Sequence, residues 1–112
     1  MLFDMRTYGC HPGTLKKHLK IYEESGAAAQ RRHLGHPLLY AVTETGPINT
    51  FVHIWAYASA QDRADRRAAM QADPEWNAYQ KRAAEAGYLA SQENRILVPV
   101  DFMMNPPPDA KP

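Results

Sequence analysis

The sequence predicts an α+β domain of order β-α-β-β-α-β, one four-stranded antiparallel sheet with helices on one face. Three observations carry this. Residues 49–57, N-T-F-V-H-I-W-A-Y, alternate strictly, which is the two-residue period of a strand. Residues 15–34 and 59–86 carry apolar positions at helical spacing between Gly and Pro stops. Gly46-Pro47 lies between two alternating segments and joins them as a hairpin. At 112 residues the chain makes one domain.

Residues 2–8 alternate as Phe3, Met5, Thr7 against Asp4, Arg6, Tyr8 and form the first strand. Pro12-Gly13 punctuates, and Pro12 suits a first helical turn. Leu15, His18, Leu19 and Tyr22 follow as a narrow apolar stripe, opposite a wet face of Lys16, Lys17, Lys20, Glu23 and Glu24. Gly26 interrupts, the helix resumes over 27–34, and Gly35 with Pro37 stops it. Residues 38–45 are the second strand. An even-numbered loop centred on Gly46-Pro47 pairs Tyr40 with His53, Leu38 with Trp55 and Val42 with Phe51, and sets Leu39 and Ala41 beside Ile54 and Val52. A one-residue slip would exchange the faces.

Ser59 with Asp62 three residues on has the form of a capping box. Asp73-Pro74 ends that helix and starts the next, Asp73 as N-cap and Pro74 as first helical residue. Trp76, Tyr79, Ala83 and Ala86 make its apolar stripe, and Gly87 ends it. Residues 91–100 form the last strand, with Ile96, Val98 and Val100 toward the helices and Arg95 and Leu97 away from them. Pro99 marks it as an edge. The prolines of residues 105–112 make a tail, so the expected division is a domain over 1–102 and a Pro-rich tail over 103–112.

Two right-handed crossovers around the hairpin give a ferredoxin-like sheet with the first and third strands side by side. The strand at 49–57 has a small aliphatic face, Val52, Ile54 and Ala56, and a broad aromatic one, Phe51, His53, Trp55 and Tyr57. Aliphatic side chains suit close packing against helices, so the helices are expected on that face. The open face then holds Asp4, Arg6, Tyr8, Tyr40, Phe51, His53, Trp55, Tyr57, Arg95 and Leu97. An exposed aromatic patch of that extent predicts an isologous homodimer.

Five segments fall in a familiar order. They are Phe3-Asp4-Met5-Arg6-Thr7-Tyr8, Gln30-Arg31-Arg32-His33-Leu34-Gly35, Gly46-Pro47-Ile48-Asn49, Asp73-Pro74-Glu75-Trp76, and Ser91-Gln92-Glu93-Asn94-Arg95-Ile96-Leu97. Together they resemble the NIPSNAP family of the dimeric α/β-barrel superfamily, over residues 3–100. The resemblance implies the ferredoxin-like fold and a homodimer. Within the wider superfamily it also implies cofactor-free oxygenation, isomerisation or lactone chemistry in an aromatic-lined pocket, an inference from fold alone.

Thirteen basic against twelve acidic residues give a formal charge of +1, which offers no signature of nucleic-acid or anionic-membrane binding. One cysteine, Cys10, excludes an internal disulfide and a Cys-rich metal site. Its place at a strand–helix junction could lower its pKa. No apolar run approaches the ~20 residues of a membrane span, and Met1 runs into a strand pattern without a leader. The expectation is a soluble cytoplasmic protein. The five histidines have no recognised zinc spacing, and neither a P-loop nor a dinucleotide fingerprint is present. No metal and no cofactor is expected.

The candidate catalytic residues are His53 and Arg6. An imidazole on a part-buried aromatic face can move protons or bind a ligand, or be held by a neighbour's hydrogen bond. Arg6 can anchor a carboxylate or enolate, or pair with Asp4, Glu44 or Glu93. Tyr8, Tyr40, Trp55, Tyr57 and Arg95 are the candidate ligand-binding residues, with core packing the alternative for the aromatics. Arg31, Arg32 and His33 suit a helix C-terminus or an anion, and Arg63, Arg66 and Arg67 read as a solvated face. Two functions follow. The first is a homodimer that binds a small aromatic or carboxylated metabolite between helices and sheet or at the dimer seam, with or without proton-transfer or oxygenase chemistry. The second is a non-catalytic interaction module whose aromatic face serves only dimerisation.

Overall fold

Strand β3 (Thr50–Tyr57) lies in the interior of the sheet, and every second side chain of it, Phe51, His53, Trp55 and Tyr57, is buried. The computed structural model describes residues 1–103, so the tail expected over 103–112 falls almost wholly outside the described residues. Around β3 the chain runs β1 (Leu2–Cys10), α1 (Leu15–Ser25), α2 (Ala27–Leu34), β2 (Leu39–Val42), β3, α3 (Ala60–Gln71), α4 (Pro74–Ala86) and β4 (Leu89–Leu97). The sheet order is β2-β3-β1-β4, with every neighbouring pair antiparallel. This is the ferredoxin-like α+β arrangement the sequence predicts.

The hairpin register is the one its alternation predicts. Leu39, Tyr40, Ala41 and Val42 stand opposite Ile54, His53, Val52 and Phe51. β2 is shorter than expected, and Pro12-Gly13 forms a turn ahead of α1 rather than its first turn. Gly13 there takes a φ of +80°, which glycine tolerates at low cost. Ser59 caps α3 by accepting from the Asp62 amide, and Asp62 reaches back to accept from the Ala58 amide, one residue ahead of the cap, in place of the Ser59 amide of a standard box. Asp73 caps α4 through the Glu75 amide, with Pro74 in the first turn and Gly87 left-handed at the end.

Gly26 separates α1 from α2 because of what it faces. A Cβ there would lie 2.8–3.0 Å from three ring atoms of Tyr79, which is itself buried in the core. Gly26→Ala should therefore cost about 1–3 kcal/mol by overpacking. The check is thermal denaturation, where an unchanged midpoint would show that Tyr79 yields freely.

The helices lie on the aromatic face, not the aliphatic one. Trp55 and Tyr57 join Ile21, Ala29, Leu34, Met70, Trp76 and Tyr79 in one cluster. The alternation correctly groups Asp4, Arg6, Tyr8, Tyr40, Phe51, His53, Trp55 and Tyr57, but the expectation that this set lies open is wrong. The reason is area. Aromatic side chains each bury ~150–250 Å², far more than Val52, Ile54 and Ala56 offer, and burial scales with apolar area. The open face carries Met5, Val52, Ile54, Ala41 and the exposed Leu39.

α1 packs on α4 and α2 on α3. The helix layer leaves a gap over the strands on the side where β1, β2 and β3 carry their polar groups. Among the described residues no helix is long and apolar enough to cross a membrane.

Candidate functional site: a donor-lined cavity between sheet and helices

The gap is a cavity of about 340 Å³, walled by Arg6, Tyr8, Tyr40, Phe51, His53 and Gln92 from the sheet. From the helices come His18, Tyr22, Arg67, Trp76, Asn77 and Tyr79, among others. Two guanidinium groups line it and no carboxylate does. The lining mixes aromatic rings with many polar side chains, Gln30, Gln71, Gln80 and Gln92 among them, so the cavity is more polar than the usual small-molecule pocket.

Asp4 anchors one end of this region. It is fully buried, and Oδ2 accepts from Arg6 Nη1 at 3.1 Å and Arg63 Nε at 3.0 Å, while Oδ1 accepts from Asn94 at 3.2 Å. Burial by itself would raise the carboxyl's pKa. The Asn94 hydrogen bond and the Arg6 and Arg63 charges outweigh it and hold the pKa below its usual value. Arg6 also donates from Nε to the Tyr8 hydroxyl at 2.8 Å. That leaves the Tyr8 proton free to be donated elsewhere, and leaves N–H groups of Arg6 uncommitted.

His53 faces Arg6 across β1 and β3 and Tyr40 across β2 and β3. Its ring stacks on Tyr40 at 4.7 Å and meets Tyr8 edge-on at 4.9 Å. Trp55 Nε1 donates to its Nδ1 at 2.7 Å. Nδ1 must therefore carry a lone pair, and the neutral ring bears its proton on Nε2. Among the described residues that Nε2 has no partner. Burial, then the nearby Arg6 charge, push the imidazole pKa down to about 3, so the ring is neutral at physiological pH.

The remaining candidates separate. Tyr40 lines the cavity, and burial raises its hydroxyl's pKa. Trp55 touches the site only through its bond to His53. Tyr57 is buried in the core beyond the cavity lining, with its hydroxyl unpartnered. Arg95 does not share a face with Arg6. It stands opposite Met5 on the open side, and Asn94 is the residue opposite Arg6. Leu97 likewise stands opposite Phe3 rather than in the aromatic set. Arg95 and Leu97 thus lie away from the helices and Ile96 toward them, as the alternation predicts; it is the aromatic set that lies on the other side from the one expected.

Sequence reasoning missed two contributors. Arg63 and Arg67 are not a solvated pair. Arg63 reaches Asp4, and Arg67 turns to the cavity with no ion pair among the described residues. Their spacing with buried Met70, at i, i+4 and i+7, is the signal that places them on the inward stripe of α3. His18 is buried and stacks on Phe51 at 5.5 Å, its Nδ1 unpartnered, and burial lowers its pKa. By contrast, Arg32 and His33 are occupied with Asp73, and Arg32 with Glu75 as well. Cys10 is buried, which raises its thiol pKa instead of lowering it.

Fold and cavity together define a ferredoxin-like α+β domain with an internal, cation-bearing pocket. The chain belongs to the NIPSNAP family, whose signature spans residues 3–104. It is 30% identical over 99 residues to the Protein NipSnap homolog of Dictyostelium discoideum, covering 88% of this chain but 43% of that one. The chain thus spans less than half the length of that relative. A crystal structure of a NIPSNAP family protein from Agrobacterium tumefaciens superposes with a TM-score of 0.83 at 39% identity, over 90% of this chain and 94% of that one. A putative antibiotic biosynthesis monooxygenase from Nitrosomonas europaea shares the fold alone. Its TM-score is 0.63 at 12% identity, over 89% of this chain and 99% of that one.

Proposed function

We propose that this protein is a homodimer that binds a small aromatic acid in the cavity between sheet and helices. The observation that carries the reading is the lining, in which Arg67 has no ion pair among the described residues, Arg6 keeps N–H groups beyond its pair with Asp4, and no carboxylate faces the cavity. A negative group would be held there by guanidinium hydrogen bonds, and Tyr40, Trp76 and Tyr79 would contact the ring. The homodimer is drawn from the open aliphatic face. An interaction module built on the aromatic face is not compatible with that face lying under the protein's own helices.

His53 suits donation better than proton abstraction. Its Nδ1 is already engaged by Trp55 and its pKa is low. If turnover accompanies binding, the role it fits is a fixed N–H aimed at a developing oxyanion, beside Arg6. Calorimetric titration with 2-naphthoate tests the reading. Binding is expected, and Arg67→Ala should weaken it about tenfold, the loss of one charge-assisted hydrogen bond, without shifting the thermal midpoint. Failure of aromatic acids to bind, or an Arg67→Ala variant that binds as well as wild type, would remove the basis for the proposal.

A further inference from the structure

Three side chains of the sheet wall, Arg6, Tyr8 and His53, have N–H or O–H groups to give to the cavity, beside Gln92 and Tyr40, which can donate or accept. Arg6 has N–H groups left over after Asp4 and Tyr8, and Tyr8, having accepted from Arg6 Nε, keeps its own proton to give. His53 would be ambiguous, because a neutral imidazole presents a donor at one nitrogen and an acceptor at the other. The indole of Trp55, fully buried, removes the ambiguity with its 2.7 Å bond to Nδ1. The ring is 2% exposed, lines the cavity, and has an Nε2 without a partner among the described residues. A buried donor without an acceptor is rare enough to need a reason; Nε2 is closed to water here, and an acceptor on an occupant that displaces the side chains covering it supplies one.

We infer that Trp55 is a positioning residue that sets the polarity of the site: by holding His53 as the Nε2–H tautomer, it makes the cavity select an occupant with an acceptor oxygen, a carboxylate or ring carbonyl, over one presenting an amine. The inference rests on the binding reading above, and names the feature of the ligand that His53 reads. Replacing Trp55 would free the imidazole to present either a proton or a lone pair at Nε2, and the preference would narrow.

Two measurements test this. The first is ¹⁵N NMR of the histidine side chains in the wild-type protein at neutral pH. His53 should show a protonated Nε2 and an unprotonated, hydrogen-bonded Nδ1. The reverse tautomer, or an imidazolium, overturns the inference whatever the cavity binds. The second compares 2-naphthoate with 2-aminonaphthalene in wild type and Trp55→Phe. The ratio of the two affinities is read because Arg6 and Arg67 are unchanged in both proteins. The acid-over-amine ratio should fall about tenfold in the variant, the value of one hydrogen bond. If Trp55→Phe does not fold, His53→Gln carries the same expectation, since its amide can turn either end to the ligand. A folded variant with an unchanged ratio overturns the inference while the binding reading stands. Binding of neither compound to wild type overturns both.

Discussion

In the proposed homodimer, replacing Ile54 with glutamate should shift the protein from dimer to monomer. Ile54 lies mid-strand on the open face, between Met5 on β1 and Leu39 on β2. Leu39, 45% exposed, sits beside it on the sheet edge. Apolar area of this kind on an interior strand calls for cover, and an isologous pairing of two such faces provides it in a closed two-fold assembly. In that arrangement Ile54 would be near the centre of the seam. A carboxylate there would be desolvated without a partner, so association should fail while the core, on the other side of the sheet, stays intact. Sedimentation should give twice the 12.7 kDa chain mass for the wild type and one chain mass for Ile54→Glu, with unchanged circular dichroism. A wild type that sediments as one chain would end the dimer reading.

Asp4→Ala should be the most destabilising single change on the polar side of the sheet. It removes the one buried acceptor shared by Arg6, Arg63 and Asn94. Breaking a buried ion pair from one side costs about 3–5 kcal/mol. The lower end applies here, because Arg6 and Arg63 keep 17% and 27% of their side-chain exposure. Against a total stability of ~5–15 kcal/mol this would be plain in a urea midpoint, and an unmoved midpoint would show that the three donors find water instead. The pH dependence follows from the direction of the shift. The folded pKa lies below the ordinary 3.8, so the unfolded chain takes up the proton first. The stabilisation is complete above pH 3.8 and is lost as pH falls through the folded value. His53 and His18, buried and neutral, act in the same direction from higher pH. Their folded pKa values lie below 6.5, so the unfolded state gains protons first and stability declines as pH drops below 6.5. Acid unfolding should therefore begin under pH 6.5 with His53 and His18 and gain a carboxylate component under pH 4, to which Asp73 and Asp62 also contribute; Asp4→Ala should reduce that component and leave the histidine part.

Local patterns were enough for the elements and for much of the pairing. Period-two alternation identified β1 and β3, Gly26, Gly35, Asp73-Pro74 and Gly87 punctuated the helices, and the loop at Gly46-Pro47 specified which residue of β2 meets His53. They were also enough to gather Arg6, Tyr8, Tyr40 and His53 on one side. All of these depend on neighbours in sequence or on one short turn. The helix-bearing side of the sheet is a different kind of quantity. It depends on the total area each face can bury against α1–α4, and on Arg63 of α3 reaching Asp4, 59 residues away. The parity of β4 toward the helices was legible in Ile96 against Arg95 and Leu97, but its register on β1, including the shift between Gly9 and Cys10, was not. The cavity itself belongs to no segment. It exists because α1 and α4 pack on each other and bridge over the strands, and a void between layers has no residues of its own to leave a mark in the sequence.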